Sequence, residues 1–342
     1  MVLSAWRAVW LAVIILAVAA VGPAAPTGSV TLDGVRKRNV LRCGVPGDLP
    51  GFSMPDASGV QRGMDADTCR AVAAAVLGDA NRVRFFAVNA QTRFAALQSG
   101  AIDLLLSETT WTLGREARAG LMFVAVTYYD GTGFLVKRSA GVTSALQLSG
   151  ASVCVEPSTT TELAVADYFR LHGMNFSLVA IADGHQMEDA FLSGRCDVFA
   201  NDTAHLAGFR AGRGEHAVDF ILLPEIISHE PLGPMVRKGD DRWFDIVRWT
   251  FFAQVTAEEA GVSSRNVDSF ATSRDPATRR LLGLEGDLGR ALGLDQQFAY
   301  NVIKQVGNYG EVWDAAMAPA GIARGLNNLW TKGGLQYAPP FR

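Results

Sequence analysis

The chain is short of the residues that usually announce chemistry. Of 342 residues, only four are cysteine and five are histidine. No two cysteines form a CxxC pair or stand near a histidine at zinc-ligand spacing, so no metal is expected. The histidines, at 172, 185, 205, 216 and 229, are scattered and show no triad-like grouping. Basic charge is not in excess either. The formal net charge is -3, which gives no electrostatic case for nucleic acid. Beyond residue 21 no apolar run is long enough to span a bilayer.

What is present is a globular composition, 49% hydrophobic and 19% charged, enough for one or two cored domains. The N-terminus reads as an export signal. Arg7 supplies a positive charge, residues 8–21 are almost purely apolar, and residues 22–29 are small or proline. Cleavage after Ala20 or after Ala25 fits equally, and residues 1–25 are set aside as the signal peptide. The product is expected to be soluble and periplasmic. In such an oxidising compartment cysteines pair. Four allow three pairings, and Cys43–Cys69 with Cys154–Cys196 is the expected one because each closes a loop within one half of the chain.

The densest stretch is 100–115. A glycine turn leads into the apolar run 102–106, which reads as a buried parallel strand, followed at once by Ser107, Glu108, Thr109, Thr110 and then Arg115. In an open α/β sheet, ligands sit beyond the carboxyl ends of the strands. Hydroxyls and a guanidinium at that place suit a small carboxylate, since arginine presents a planar fork of donors. The order up to this point is β-α-β-α-β, a doubly wound half. Asp65 or Asp67 is expected to cap the helix that follows Gly63.

The pattern then recurs. Residues 187–194 form a helix ended by glycine, 195–200 a buried strand, and Asn201, Asp202 and Thr203 the polar tip. Helix, Ser-Gly, two residues, Asp, apolar strand and polar tip occur once in each half, which predicts two similar lobes facing each other. Arg115 on one tip and Asp202 on the other would suit the two ends of a zwitterion. The hydroxyl-rich loop 156–162, with Thr159 and Thr160, opens another helix and reads as an anion cradle.

Several runs carry a family resemblance: Gly63-Met-Asp-Ala-Asp-Thr, Thr109-Thr-Trp-Thr-Leu-Gly-Arg, Ser158-Thr-Thr-Thr-Glu-Leu, Glu230-Pro-Leu-Gly-Pro and Lys304-Gln-Val-Gly-Asn-Tyr-Gly-Glu. With them the chain resembles the exported solute-binding proteins of amino-acid ABC transporters, in particular the general L-amino-acid-binding subgroup. The resemblance implies an α/β, periplasmic-binding-protein type II fold with two doubly wound lobes joined by two crossovers. Lobe 1 would comprise 35–133 plus 236–342, and lobe 2 would comprise 134–235. It implies an L-amino acid whose carboxylate is gripped by Arg115, with Thr110 and the backbone around Thr159 and Thr160. Asp202 would hold the ammonium, helped by the side chain or carbonyl of Ser107, and Phe52 would face the ligand side chain. The partner would be a membrane-embedded ABC permease, with no cofactor, no catalysis and a monomeric receptor. Glu108 stands where relatives often carry a small or neutral polar residue, and the sequence leaves its inward or outward orientation open. The alternative is an exported enzyme on the same fold, of the cyclohexadienyl dehydratase kind.

Overall fold

The computed structural model describes residues 28–342; the expected signal peptide lies outside the described residues. Two five-stranded sheets share one plan. The first runs Val83–Ala87, Leu41–Val45, Leu104–Leu105, Met235–Arg237, Leu121–Phe123, and the second Ser177–Ala180, Ser152–Val155, Val198–Asp202, Thr132–Lys137, Phe220–Leu222. In each, three parallel strands are followed by an antiparallel strand that arrives from a crossover. The crossovers themselves, Tyr128–Asp130 and Glu230–Leu232, pair as an antiparallel ribbon.

The recurring Gly-x-x-Asp has one physical job in both sheets. Gly194 closes its helix with a left-handed backbone, φ 79°, and Gly100 turns the chain the same way at φ 75°, a conformation that costs glycine little. The aspartate three residues later ties the next strand to its neighbour: Asp103 accepts the Arg42 N–H at 2.9 Å, and Asp197 accepts the Ser152 N–H at 2.8 Å. The third strand of each sheet is thereby held in register from its first residue.

Side-chain alternation fills both faces of the second sheet. Phe134, Val136, Val153, Val155, Val198 and Ala200 pack on one face with Val165 and Phe169. Leu135, Cys154 and Phe199, the residues between them, pack on the other with Phe191, Leu206 and Phe209. That is the period of two that a strand imposes, and each fully buried Phe or Val contributes about 1.5–3 kcal/mol. The first sheet instead leans on helices from far along the chain. Helix Asp241–Glu259 buries Trp243, whose indole N–H donates to the Asp103 carbonyl at 3.0 Å. Helices Phe298–Gln305 and Tyr309–Ala316 pack beside it and against Met64–Leu77.

This last quarter also reaches the crossover. The Asn327 side chain accepts the Tyr129 N–H at 2.7 Å and donates to its carbonyl at 3.0 Å, and the Tyr309 hydroxyl donates to the Thr127 carbonyl at 2.9 Å. Both expected disulfides are present, Cys43–Cys69 and Cys154–Cys196; each ties its sheet to a following element and adds about 2–4 kcal/mol. The expected cap at Gly63 is not made. The helix Met64–Leu77 starts without a side-chain cap; Asp67 pairs with Arg70 at 2.8 Å, and Asp65 turns toward the tip of the third strand. No helix among the described residues is long and apolar enough to cross a membrane.

Candidate functional site

The polar tips of the two sheets face each other across a cavity of about 520 Å³. The lobes touch around it. The Gln91 amide donates to the Pro157 carbonyl at 3.1 Å, the Ala90 N–H to Glu156 at 3.3 Å, and His185 meets Asp48 at 3.0 Å. Inside, the Thr110 and Thr160 hydroxyls are 3.2 Å apart. Thr160 donates its single proton to Glu230 at 2.8 Å, so Thr110 is the donor of the pair. The cleft is closed.

Arg115 lies in the short helix Leu113–Arg118, whose cap is Thr112. One guanidinium nitrogen donates to the Thr110 carbonyl at 2.8 Å and the group sits 5.6 Å from the Phe94 ring. That anchor fixes the fork and leaves other N–H groups for the cavity. Burial lowers its pKa, which the charges of Glu230 and Asp202 partly restore.

Asp202 ends the strand Val198–Asp202 and is 5% exposed. It does not cap the helix Thr203–Ala211 that begins next to it. Asp130, from the crossover, does so instead: it accepts the Ala204 N–H at 3.0 Å and the Thr203 hydroxyl, while the Thr203 N–H goes to the Gly131 carbonyl at 2.9 Å. The Asp202 carboxylate is therefore free for the cavity, and its Oδ1 has no hydrogen-bond partner among the described residues.

Glu108 points inward. It adopts a left-handed backbone, φ 41°, rare for a residue with a Cβ. Its N–H donates to Asp65 at 3.0 Å, which holds the turn. The side chain is buried, with Oε1 unpartnered among the described residues and Oε2 3.8 Å from His205 Nδ1. One oxygen each of Glu108, Asp130 and Asp202 lie within 4.8 Å of one another. Two full charges at that spacing repel by roughly 3 kcal/mol at an effective dielectric near 20. Burial raises the pKa of both Glu108 and Asp202, and the neighbouring carboxylates raise them further. Asp65, buried with the Glu108 N–H as its partner, is pushed up to about 7.

The other expected residues divide. Thr110, Thr159, Thr160 and Ser107 all line the cavity. The Thr159 hydroxyl is spent on capping its helix, accepting the Glu162 N–H at 3.2 Å and donating to the Glu156 carbonyl at 2.7 Å. What this loop offers a ligand is the unpaired N–H groups of the helix's first turn. The Ser107 carbonyl already accepts from Arg93 at 2.9 Å and from Thr109 at 3.0 Å, so both its lone pairs are taken and only its hydroxyl is available. Phe52 is elsewhere. It is 1% exposed in the core of the first lobe, edge-on to Tyr128 at 5.4 Å, and is not part of the cavity wall. A large apolar ring is better satisfied by that aromatic core than by a wet cleft.

Sequence reasoning passed over Arg93, which is 6% exposed and lines the same cavity. Burial and the charge of Arg115 lower its pKa to about 10, which still leaves it protonated at neutral pH. The signal was there: in helix Arg93–Gln98 the arginine shares the buried stripe with Leu97, four residues on. Glu156, Asn201 and His205 also line the cavity. A cavity with two guanidinium groups, Arg93 buried and Arg115 half-buried, and two orphaned carboxylate oxygens is chemically matched to a small dipolar ion.

The fold and the cleft define a two-lobed binding protein of the periplasmic type II kind. Residues 41–260 match the family described as bacterial extracellular solute-binding proteins, family 3, and the chain belongs to that family. It is 51% identical over 316 residues to the glutamate/glutamine/aspartate/asparagine-binding protein BztA of Rhodobacter capsulatus, covering 91% of this chain and 93% of that one. It is 49% identical over 331 residues to the general L-amino acid-binding periplasmic protein AapJ of Rhizobium johnstonii, covering 95% and 96%. Among solved structures, an ABC transporter periplasmic binding protein from Brucella ovis with glutathione bound matches with a TM-score of 0.89 and 47% identity, over 91% of this chain and 99% of that one. These relatives are binding proteins, so the enzyme alternative is set aside and the chain is a substrate-binding receptor of the ABC-transporter class.

Proposed function

We propose that this receptor captures a free L-amino acid in the periplasm and delivers it to a membrane-embedded ABC permease. Arg115 grips the α-carboxylate, with the Thr110 hydroxyl and the first-turn N–H groups at Thr160 completing the cradle. Asp202 holds the α-ammonium, assisted by the Ser107 hydroxyl. Arg93 extends the reach of the site toward ligands whose side chains carry a carboxylate or an amide oxygen. Both halves of the clamp come from one chain, so the receptor works as a monomer. The observation that carries this reading is the unpartnered Asp202 Oδ1 facing a cavity that also holds the anchored Arg115. The names of the relatives support the ligand class.

A second reading follows from the glutathione in the Brucella relative. The γ-glutamyl end of glutathione carries a free α-ammonium and α-carboxylate, so the same clamp would take it, with the rest of the peptide filling the cavity. One experiment separates the two. The protein is unfolded and refolded to strip co-purified ligand, then titrated by calorimetry with the twenty amino acids and with glutathione. Saturable one-to-one binding of amino acids supports the first reading, and glutathione as sole binder supports the second. Absence of binding by all of them would sink both.

A further inference from the structure

Asp202 alone would satisfy one ammonium, yet a second orphaned acid stands beside it. Among the described residues no lysine or arginine forms an ion pair with Glu108. From the second lobe comes His205, and its state is fixed by Asn201: the Asn201 side-chain oxygen accepts the Asp202 N–H at 2.9 Å, which turns its NH₂ toward His205 Nδ1 at 3.1 Å. An amide NH₂ can only donate, so Nδ1 is an acceptor and the imidazole is neutral. Burial lowers the His205 pKa as well. Glu108 Oε2, 3.8 Å away, faces a lone pair.

The other elements around Glu108 bring mostly further acids. Asp65 from helix Met64–Leu77 accepts its N–H. Asp130 from the crossover takes three donors, the Gly131 and Ala204 N–H groups and the Thr203 hydroxyl; burial raises its pKa and these donors oppose that rise. Glu156 of the second lobe also acts on it electrostatically, while Arg93, the one cation that does so, points a nitrogen at the Ser107 carbonyl. Asp202 faces Glu230, which opposes its charge, and Arg115, which favours it; two acids with bare, buried oxygens this close are costly as a pair of anions.

We propose that Glu108 and Asp202 share one proton in the ligand-free closed receptor, and that the ammonium of the incoming amino acid displaces it to solvent. This deepens the role of the same cleft and rests on the reading that the ligand is an amino acid. The balance is simple: one O–H bond breaks, the proton leaves to buffer, and the ammonium supplies the positive charge and the N–H donors in its place. Glu108 then does more than line the site. It makes capture compete with protons, so affinity rises with pH, by up to about tenfold per unit, until the pair is ionised in the free receptor.

The test is calorimetry of the stripped full-length mature receptor with L-glutamine, L-asparagine, L-alanine and L-leucine, whose side chains do not titrate. Each is measured near pH 6.5 in phosphate and in imidazole, buffers of very different ionisation enthalpy that both accept protons there. For every amino acid that binds, the heat should depend on the buffer with a slope of about one proton released. The slope should vanish in Glu108→Gln. Binding without buffer dependence in the natural protein overturns the proposal while leaving the amino-acid reading intact. A slope that survives Glu108→Gln and disappears in His205→Gln or Asp65→Asn also overturns it, by assigning the proton elsewhere. If only other amino acids bind, the same two-buffer slope is read on those; no binding by any of the twenty overturns the reading beneath it together with the proposal.

Discussion

The two strand tips that meet in the cleft are built on the same sheet position but solve the end of the strand differently. In the first lobe the strand Leu104–Leu105 runs into an open loop before the helix Leu113–Arg118, and Thr112 within that loop caps the helix. In the second lobe, Val198–Asp202 passes directly into Thr203–Ala211, and the cap is brought in from Asp130 on the crossover. The loop gives the first tip room for hydroxyls, an acid and a guanidinium. The second tip has room for little more than one side chain. At the second tip the imported cap is what leaves Asp202 free, whereas at the first Thr112 accepts the Arg115 N–H and so fixes where the arginine, itself only a donor, leaves its helix. The chemistry a tip can offer is set by who does the capping.

The tips should therefore respond unequally to loss of charge. Arg115→Ala removes the anchored cation and leaves a buried ligand carboxylate unpaired, which should weaken binding by about 2–5 kcal/mol. Arg93 cannot replace it while its guanidinium is tied to the Ser107 carbonyl. Asp202→Asn should cost clearly less, because a Glu108 oxygen lies within 4.8 Å of an Asp202 oxygen and would be near the ammonium proposed to bind there. Calorimetric affinities for the two variants check this. Equal losses would mean that Glu108 does not back up Asp202, and near-natural affinity in Arg115→Ala would remove the carboxylate clamp altogether.

The imported cap can be broken without touching the cavity's two charged ends. Asp130→Ala should cost about 1–2 kcal/mol of stability as the helix Thr203–Ala211 loses its N-terminal acceptor. Affinity should fall with it, because Asp202 is then the nearest carboxylate able to turn and cap. The matching change at the first tip, Thr112→Ala, should lower stability by a similar or smaller amount and leave Asp202 in place. Thermal melts and titrations of the pair distinguish these outcomes. Loss of stability with unchanged affinity in Asp130→Ala would show that the cap and the clamp are independent.

How far the sequence reveals this depends on whether a feature is local. The glycine stop, the aspartate three residues later and the alternating strand were legible because each acts within a few residues, and the repeat of all three in the second half exposed the paired lobes. Arg115 and Asp202 were legible as tip residues for the same reason. Glu108 was not, since its direction depends on a left-handed backbone held by Asp65, 43 residues away. Phe52 misled because its loop looks exposed, while the rings that enclose it come from elsewhere: Tyr128 lies 5.4 Å from it and stacks on Trp313 at 5.3 Å. The capping role of Asp130 is likewise a contact between distant segments. The last quarter was assigned only to lobe 1, yet it supplies the Asn327 brace on the crossover.

The smallest effect belongs to the rim, where the lobes meet outside the clamp. The Gln91 amide of the first lobe reaches the Pro157 carbonyl of the second at an exposed position. Such a bond exchanges one partner for water on opening, so its net worth is about 0.5–1 kcal/mol at most. It forms only when the cleft shuts and touches none of the groups proposed to bind the ligand. Gln91→Ala should accordingly leave the association rate unchanged and speed dissociation by about two- to fivefold, as measured by stopped-flow fluorescence. A slower association would place this contact in the encounter step rather than in the closed state. An unchanged dissociation rate would mean that the two tips, with the ligand between them, carry the whole of the closure energy, which would sharpen the contrast between clamp and rim.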